Sequence, residues 1–251
     1  MFEKISEHIY VHPAEPYTDR PNIGLIVGEK YTLLYDAGNS AEHVKKLKRE
    51  LSEQNLPHPD FVLLSHWHWD HSFGAKAWEI PVISGKKTDV QLRKAADWKW
   101  DDSSMENRIK SGEDIVFCTE MIKREYPDRS KIEVVPADIV FDGKITVDLG
   151  GVTCEILHSK GPHSEDSVIC FVPSEKFVFL GDSNCKDLYG KPWDFDIEHE
   201  EDFLENIAKI PYDKEIVDDF IGLLDTIDFD RCISGHAEIM TKDELYSSLG
   251  R

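Results

Sequence analysis

The segment Leu63–Ala75, LLSHWHWDHSFGA, places three histidines and one aspartate within six residues. These side chains come directly after a short apolar run, FVLL, which is typical of a buried strand. His66 and His68 would diverge on a helix, but in an extended loop after a strand both side chains can converge on one ion. Asp70 and His71 follow closely enough to turn toward a second ion.

Further side chains that can bind metals occur at turns next to other predicted strands. His163 lies before the strand SVICFVP, Asp182 follows the strand KFVFL, and His236 follows the strand RCIS. A glycine lies near each of the three and lets the chain bend sharply. Neutral imidazole and carboxylate are the ligands of zinc in catalytic sites, where one coordination position is kept for water. The sequence therefore predicts a metal site that is assembled from several strand ends.

The order of the predicted elements indicates a mixed α/β chain. The first third alternates short strands with helices, including a hairpin that turns at residues 28–30 and a helix in AEHVKKLKRELSEQ. Residues 86–130 are polar and helix-prone, and we expect one or two helices there. Strands resume at KIEVVPADIVF and continue to KFVFLGD, and a helix is expected over residues 199–220. The simplest arrangement is one domain over residues 1–251, built from two halves of similar order.

Composition narrows the possible partners. The chain has a formal net charge of −20, and so acidic a surface repels phosphate backbones and argues against a nucleic-acid partner. No apolar window is long enough for a membrane span, and the first residues do not resemble a signal peptide, so we expect a cytoplasmic protein. The five cysteines are scattered and predict no disulfide framework. The sequence does not indicate an oligomeric state.

The motif HWHWDH reads as HxHxDH, and with LYDAG, GPHSEDS, LGDS and SGHAE it resembles the metallo-β-lactamase superfamily. The order and the types of the candidate ligands match the dinuclear pattern of that family over almost the whole chain. The resemblance implies an α/β fold, the four-layer αββα sandwich, with the metals at one edge. Residues 86–130 would then be a helical insertion, which in such relatives often covers the active site as a lid.

The resemblance also implies that seven side chains hold two divalent metal ions. These are His66, His68 and His163 for the first ion, Asp70, His71 and His236 for the second, and Asp182 as the bridge. A hydroxide between the ions would be the nucleophile, and Asp70 would orient it. Asp36 of LYDAG would support the site without binding metal, and Lys186 is a candidate for binding a substrate carboxylate. Zinc is the expected metal, while iron and manganese accept the same ligands.

The family contains several kinds of hydrolase, and single residues separate them. Class B β-lactamases use a cysteine where this chain has Asp182, and flavodiiron proteins place a glutamate at the position of His68. Lactonases often carry a tyrosine close after the bridging aspartate, which Tyr189 matches only weakly. The sequence favours a hydrolase acting on a small ester, thioester, lactone or amide. A small-molecule phosphodiesterase and a non-catalytic metal- or ligand-sensing protein stay open as alternatives.

Four tryptophans lie in or near the predicted site. Trp67 and Trp69 alternate with the ligands, and the pattern favours packing beneath the loop over lining the mouth of a pocket. Trp98 and Trp100 belong to the helical insertion, where they would either cover the site or pack the insertion onto the sandwich.

Overall fold

The structure, a computed structural model, describes residues 1–189, 207 and 209–251. Two β-sheets pack against each other, and helices lie on both outer faces. The first sheet contains, in spatial and chain order, β1 (Glu3–Lys4), β2 (Ile9–His12), β3 (Ile23–Val27), β4 (Thr32–Tyr35), β5 (Phe61–Leu63), β6 (Val82–Gly85) and β7 (Ile139–Phe141). The second contains β8 (Lys144–Asp148), β9 (Thr153–His158), β10 (Val168–Val172), β11 (Phe177–Gly181), β12 (Arg231–Ser234) and β13 (Met240–Thr241).

The direction of pairing changes within each sheet. Strands β1 to β4 are antiparallel, whereas β4 to β7 are parallel because helices cross over between them. In the second sheet β11 and β12 are parallel and the other pairs are antiparallel. The strands that precede the metal-binding motifs therefore end at one edge of the molecule.

Helices fill the connections between strands. The helices of the described residues are α1 (Ala41–Glu53), α2 (Trp69–Ser72), α3 (Ala75–Trp78), α4 (Lys86–Ala96), α5 (Asp102–Ser111), α6 (Val116–Glu125), α7 (Lys214–Leu224) and α8 (Lys242–Ser248). Helix α1 begins where predicted, since the Ser40 side chain accepts a hydrogen bond from the His43 N–H. No helix among the described residues has both the length and the apolar character that crossing a membrane requires.

The predicted insertion is helical, but it contains three helices where one or two were expected. The Asp101 side chain caps α5 by accepting from the Ser104 N–H, and Gly112, at a φ of 75°, ends that helix. The strand predicted in KIEVVPADIVF is shorter than expected, since only Ile139–Phe141 pairs with β6. Of the helix predicted over 199–220, residues 199–206 and 208 lie outside the described residues. Residues 207 and 209 are helical, residues 210–213 are not, and α7 begins at Lys214.

Three apolar clusters define the four layers. Phe177, Phe179 and Tyr35 lie in the cluster between the sheets. A second cluster joins α1, the insertion helices and the outer face of the first sheet, and a third joins α7 and α8 to the second sheet. Full burial of one such side chain contributes about 1.5–3 kcal/mol. The predicted αββα sandwich is confirmed, and the insertion helices extend its outer layer on the first sheet.

Candidate metal centre

The predicted ligands meet at the edge where the parallel strands end. Strand β5 runs into the loop that carries His66 and His68, and α2 follows with Asp70 and His71. Because the carboxyl ends of parallel strands share one edge of a sheet, the loops after them come close together. The remaining three ligands come from the second sheet, where His163 precedes β10, Asp182 follows β11 and His236 follows β12.

Two glycines let this edge close. Gly181 has a φ of 53°, and a Cβ there would lie 2.5 Å from the Cβ of Ser65. A Cβ on Gly235 would lie 2.2 Å from Oδ1 of Asp182. Since real Cβ atoms do not approach other atoms so closely, both positions require glycine for the second sheet to reach the histidine loop.

The first group consists of His66, His68 and His163. One ring nitrogen of each lies within 4.8 Å of the others, and Nε2 of His163 is 2.9 Å from Nδ1 of His68. All three side chains are buried. Burial and the nearby His163 lower the pKa of His68 to about 3, so this imidazole is neutral at physiological pH. Three imidazoles converging on one point form a donor set that suits zinc.

A buried carboxylate, Asp36, fixes two of the ligand histidines. It accepts hydrogen bonds from the Ser65 N–H (2.7 Å), the Ser65 hydroxyl (2.9 Å) and Nδ1 of His71 (2.7 Å). Since that hydroxyl donates to Asp36, it accepts from Nδ1 of His66 at 2.9 Å. Nε2 of His66 and Nε2 of His71 are thereby left as the outward nitrogens, and both are buried without a hydrogen-bond partner.

The main chain fixes a third histidine. Nδ1 of His163 donates to the carbonyl oxygen of Lys186 at 2.8 Å. A carbonyl can only accept, so the proton lies on Nδ1 and the lone pair of Nε2 faces His68. Three of the five predicted imidazole ligands are therefore held in the tautomer that leaves Nε2 open to a cation.

The second group contains Asp70, His71, Asp182 and His236, again with ligand atoms within 4.8 Å of one another. Oδ2 of Asp70 lies 2.9 Å from Nε2 of His71 and 3.1 Å from Nε2 of His236. Asp182 lies between the two groups, since its Oδ2 is 3.6 Å from Nε2 of His163 and 3.6 Å from Nε2 of His236. Its Oδ1 is buried without a hydrogen-bond partner.

The charges of the second group indicate a place for a cation. Burial lowers the pKa of His71, but Asp70, Asp36 and Asp182 outweigh it and raise this pKa well above its ordinary value. For His236, Asp182 and the hydrogen bond to Asp70 outweigh the burial penalty and raise the pKa to about 9. Two protons thus balance the carboxylates, and a divalent ion would displace them. Together with the unpartnered nitrogens, this shows that the residues present fit metal ions.

The side chain of Lys186 points elsewhere in this structure. Its Nζ donates to the carbonyl oxygen of Ile210 and lies 4.9 Å from the centre of the Tyr212 ring. Its carbonyl, by contrast, orients His163. The substrate-binding role of this lysine stays a prediction.

The tryptophans divide between core and site. Trp69 is buried against the core, as predicted. Trp67 is only partly buried, and its ring centre lies 5.0 Å from that of His68. Trp98 packs next to Trp67, and Trp100 packs next to Trp98, so the insertion reaches the metal centre. Whether the insertion acts as a lid stays a prediction.

Three contacts were not predicted from the sequence. Ser65 links Asp36 to His66, and its position directly before the motif was the available signal. Asp166, within the quoted GPHSEDS, accepts from the Trp67 N–H at 2.9 Å and ties the histidine loop to the turn that carries His163. Asp19 lies 3.8 Å from Nδ1 of His236 in a loop that has no recognisable pattern.

Comparison with known proteins agrees with the fold. A family model described as the metallo-beta-lactamase superfamily matches residues 17–217. A metallo-beta-lactamase from Pontibacter korlensis is 17% identical at a TM-score of 0.66, and the match covers 100% of this chain and 97% of that one. The DIM-1 metallo-beta-lactamase, in a crystal exposed to ceftazidime, is 16% identical at a TM-score of 0.63, with 100% and 94% covered. No curated protein matches the chain.

A two-sheet sandwich with histidine and aspartate ligands at its edge defines a class of metal-binding α/β proteins. Since the family model spans most of the sequence, the chain belongs to the metallo-β-lactamase superfamily. The solved structures share its fold, and their low identity carries no statement about its substrate.

Proposed function

We propose that this protein is a dinuclear metal-dependent hydrolase that acts on a small ester, thioester, lactone or amide. The position of Asp182 is the observation that carries the proposal. One carboxylate oxygen lies at the same distance, 3.6 Å, from Nε2 of His163 in the first group and of His236 in the second. A carboxylate in that position suits a bridge between two cations, which a purely structural single-ion site would not need.

The seven ligand side chains would hold two divalent ions, with zinc as the first choice for imidazole-rich sites. When bound, such ions lower the pKa of a water molecule toward neutrality and polarise a carbonyl oxygen. The protein supplies a hydrogen-bond acceptor in Asp70, which would orient the attacking water. Burial raises the pKa of this carboxyl, but His71 and His236 outweigh it and hold the pKa low, so Asp70 stays ionised at neutral pH. A serine or cysteine nucleophile is not required.

Asp182→Ala tests the bridge. We expect the variant to bind fewer metal ions per chain than the wild type and to hydrolyse a suitable ester about 100-fold more slowly or worse, since charge stabilisation at the reacting group is lost. Metal content is measured by atomic emission and hydrolysis by initial rates. Asp142→Ala removes an exposed carboxylate, 81% accessible, and should change neither quantity. A wild-type hydrolysis rate in Asp182→Ala after loss of one ion would show that the bridge is not part of the mechanism.

The substrate class is tested by a panel of substrates with metal-loaded protein. The panel contains a chromogenic cephalosporin, an aryl ester, a thioester, a lactone and an aryl phosphodiester. We expect a kcat/KM above ~10⁴ M⁻¹s⁻¹, the low end of ordinary enzymes, for one carbonyl substrate, with loss of activity on adding a chelator. Such a rate for the phosphodiester alone would favour the phosphodiesterase alternative. No turnover of any member, with both ions bound, would favour a sensing protein.

A further inference from the structure

Four large aromatic side chains form a continuous cluster beside the first metal group. We call Trp67, Trp98, Trp100 and Tyr189 the aromatic cluster. The centres of neighbouring rings lie 5.8 Å apart for Trp67 and Trp98, 5.8 Å for Trp98 and Trp100, and 6.3 Å for Trp67 and Tyr189. All four side chains are only partly buried. Contiguous apolar surface of this kind on a protein commonly marks a binding site.

The aromatic cluster contacts the metal centre directly. The Tyr189 ring stacks on the His68 imidazole, with centres 5.1 Å apart and planes at 28°. The Trp67 ring meets the same imidazole edge-on at 5.0 Å. A group held against these rings would therefore lie next to a reacting atom at the first metal. Binding sites for small molecules have this composition, with aromatic walls and a few fixed polar groups.

Buried contacts behind the aromatic cluster hold it in place. The Arg108 guanidinium lies 4.5 Å from the centre of the Trp98 ring and 4.7 Å from that of Trp100. Asp114, which lies 4.0 Å from Arg108, also faces the Tyr189 hydroxyl at 3.5 Å. The rings are thus fixed before a ligand arrives, which reduces the entropy lost on binding.

The basic side chains that the structure describes near the metal centre are already engaged. Arg20 pairs with Glu15 and Glu125, Arg108 is held by the tryptophans and Asp114, and Lys186 is bound to the Ile210 carbonyl. An anionic group held against the aromatic cluster would therefore lose its hydration without gaining a cationic partner from these side chains.

We propose, resting on the hydrolase function above, that the substrate carries an aryl or similarly flat apolar acyl group that binds the aromatic cluster, and that this group is uncharged or cationic. The rings supply stacking and, for a cation, attraction to their faces. An anionic group would lose hydration against the rings and would be repelled by their negative faces. The insertion thereby takes part in substrate selection, because it provides two of the four rings.

The test uses ethanethiol esters that differ only in the acyl group, with thiol release as the signal. The acyl groups are acetyl, cyclohexylacetyl, phenylacetyl, 4-carboxyphenylacetyl and 4-(trimethylammonio)phenylacetyl. We expect kcat/KM for phenylacetyl to exceed that for cyclohexylacetyl by about 3- to 10-fold, the range of an aromatic pair. The carboxylated ester should fall about 10-fold below phenylacetyl, and the cationic ester should equal or exceed it.

Variants test whether the aromatic cluster causes the preference for the phenylacetyl ester. Trp98→Leu should reduce the phenylacetyl-to-cyclohexylacetyl ratio toward 1, and Trp98→Phe, which keeps a ring and is the milder change for folding, should reduce it less. Tyr31→Leu removes an exposed tyrosine, 46% accessible, at the amino end of β4 and should leave the ratio unchanged. A wild-type ratio near 1, or a preference for the carboxylated ester, would overturn the inference while hydrolysis itself stands. The second result would also support Lys186 as an anion anchor.

A binding measurement separates this inference from the proposed function. Phenylacetone and acetone are neutral and contain no hydrolysable bond, so their binding to metal-loaded protein can be followed by NMR without turnover. Preferential binding of phenylacetone that Trp98→Leu weakens would support the aromatic cluster as a subsite even if no ester is hydrolysed. Equal, unsaturable binding of both ketones would contradict it.

Discussion

Asp36 determines which nitrogen is available on two ligand histidines, although it belongs to neither metal-binding group. Its carboxylate accepts from Nδ1 of His71 directly and from Nδ1 of His66 through the Ser65 hydroxyl. One residue therefore prepares a ligand in each group. Carboxylates of this kind orient ligands and raise their basicity, and their loss usually reduces metal affinity.

Asp36→Asn should weaken metal binding without removing a ligand. If the amide oxygen keeps the hydrogen bond from the Ser65 N–H, the amide nitrogen faces Nδ1 of His71. Both groups would then be donors, and no hydrogen bond could form between them unless Nδ1 loses its proton. His71 would then carry its proton on Nε2 and could not bind metal. We expect affinity to fall by about 10- to 100-fold, measured by competition with a chromophoric chelator.

The matched control for this substitution is Asp60→Asn. Asp60 also accepts a main-chain hydrogen bond, from the Thr32 N–H at 2.8 Å, but at the opposite end of β4. The Asp60→Asn variant should bind metal like the wild type. Equal affinities for Asp36→Asn and the wild type would show that the tautomer of His71 does not depend on Asp36.

At the residue scale, the sequence predicts contacts that motifs encode and misses contacts that only folding creates. The ligands of the histidine loop and the supporting Asp36 lie in short recognisable stretches, and the structure brings them together. Asp19 could not be predicted, because its neighbour His236 is distant in the chain and its own loop has no pattern. Lys186 shows the converse, since spacing along the chain cannot tell which way a flexible side chain points.

The insertion is the element that departs most from the sequence-based expectation. Helices α4, α5 and α6 are each short, and their ends depend on single capping residues such as Asp101 and Gly112. Uniformly polar sequence with a high helix propensity does not reveal such breaks, so fewer helices were expected than the three observed. Strand β5, which is a continuous apolar run, and helix α1, which has clear apolar periodicity, were by contrast predicted correctly.

Asp114, between α5 and α6, makes the stability of the insertion pH-dependent. Burial raises the pKa of this carboxyl to about 6, although the Ile115 N–H and Arg108 lower it. The pKa of this aspartate is higher in the folded state than its unfolded value of about 3.8, so its protonated form stabilises the fold at low pH. This stabilisation is lost as the pH rises from about 3.8 through 6. Over that range the free energy of unfolding falls by about 3 kcal/mol.

We therefore expect the stability of Asp114→Asn, relative to the wild type, to increase between pH 4 and pH 7. The asparagine has no proton to lose, although it gives up the ion pair with Arg108 and can be less stable at low pH. Urea unfolding at several pH values measures the difference. Asp101→Asn, which alters a fully exposed cap of α5, provides the comparison. A difference that is constant with pH would contradict the raised pKa.

At the scale of the whole molecule, the metal centre joins the two sheets. His66 and His68 follow a strand of the first sheet, whereas Asp182 and His236 follow strands of the second. The sandwich could be predicted because the motif order matched a family, and its packing follows from continuously apolar strands such as β10 and β11, which are buried on both faces. The packing of the insertion could not be predicted, because it depends on side chains from α1 and from the outer face of the first sheet that meet in one cluster.

Removing metal should destabilise the whole protein. A ligand that binds only the folded state at 100 times its Kd adds about 2.7 kcal/mol, which in a chain of this size corresponds to about 5–10 °C in Tm. We expect a drop of that order on adding excess chelator, measured by calorimetry, and recovery on adding back zinc. Asp182→Ala should show a smaller drop. An unchanged Tm would mean that the ligands do not hold ions tightly in the folded state.

The span of the metal centre across both sheets also has a kinetic consequence. Asp70 and His236 are 166 residues apart in the chain, so their contact forms only after each sheet has folded and the two have docked. Interactions that are absent from the folding transition state slow unfolding and leave the folding rate nearly unchanged. We therefore expect bound metal ions to slow unfolding without changing the rate of folding. Newly made chains should fold equally fast without metal, and metal-loaded chains should resist proteases for longer.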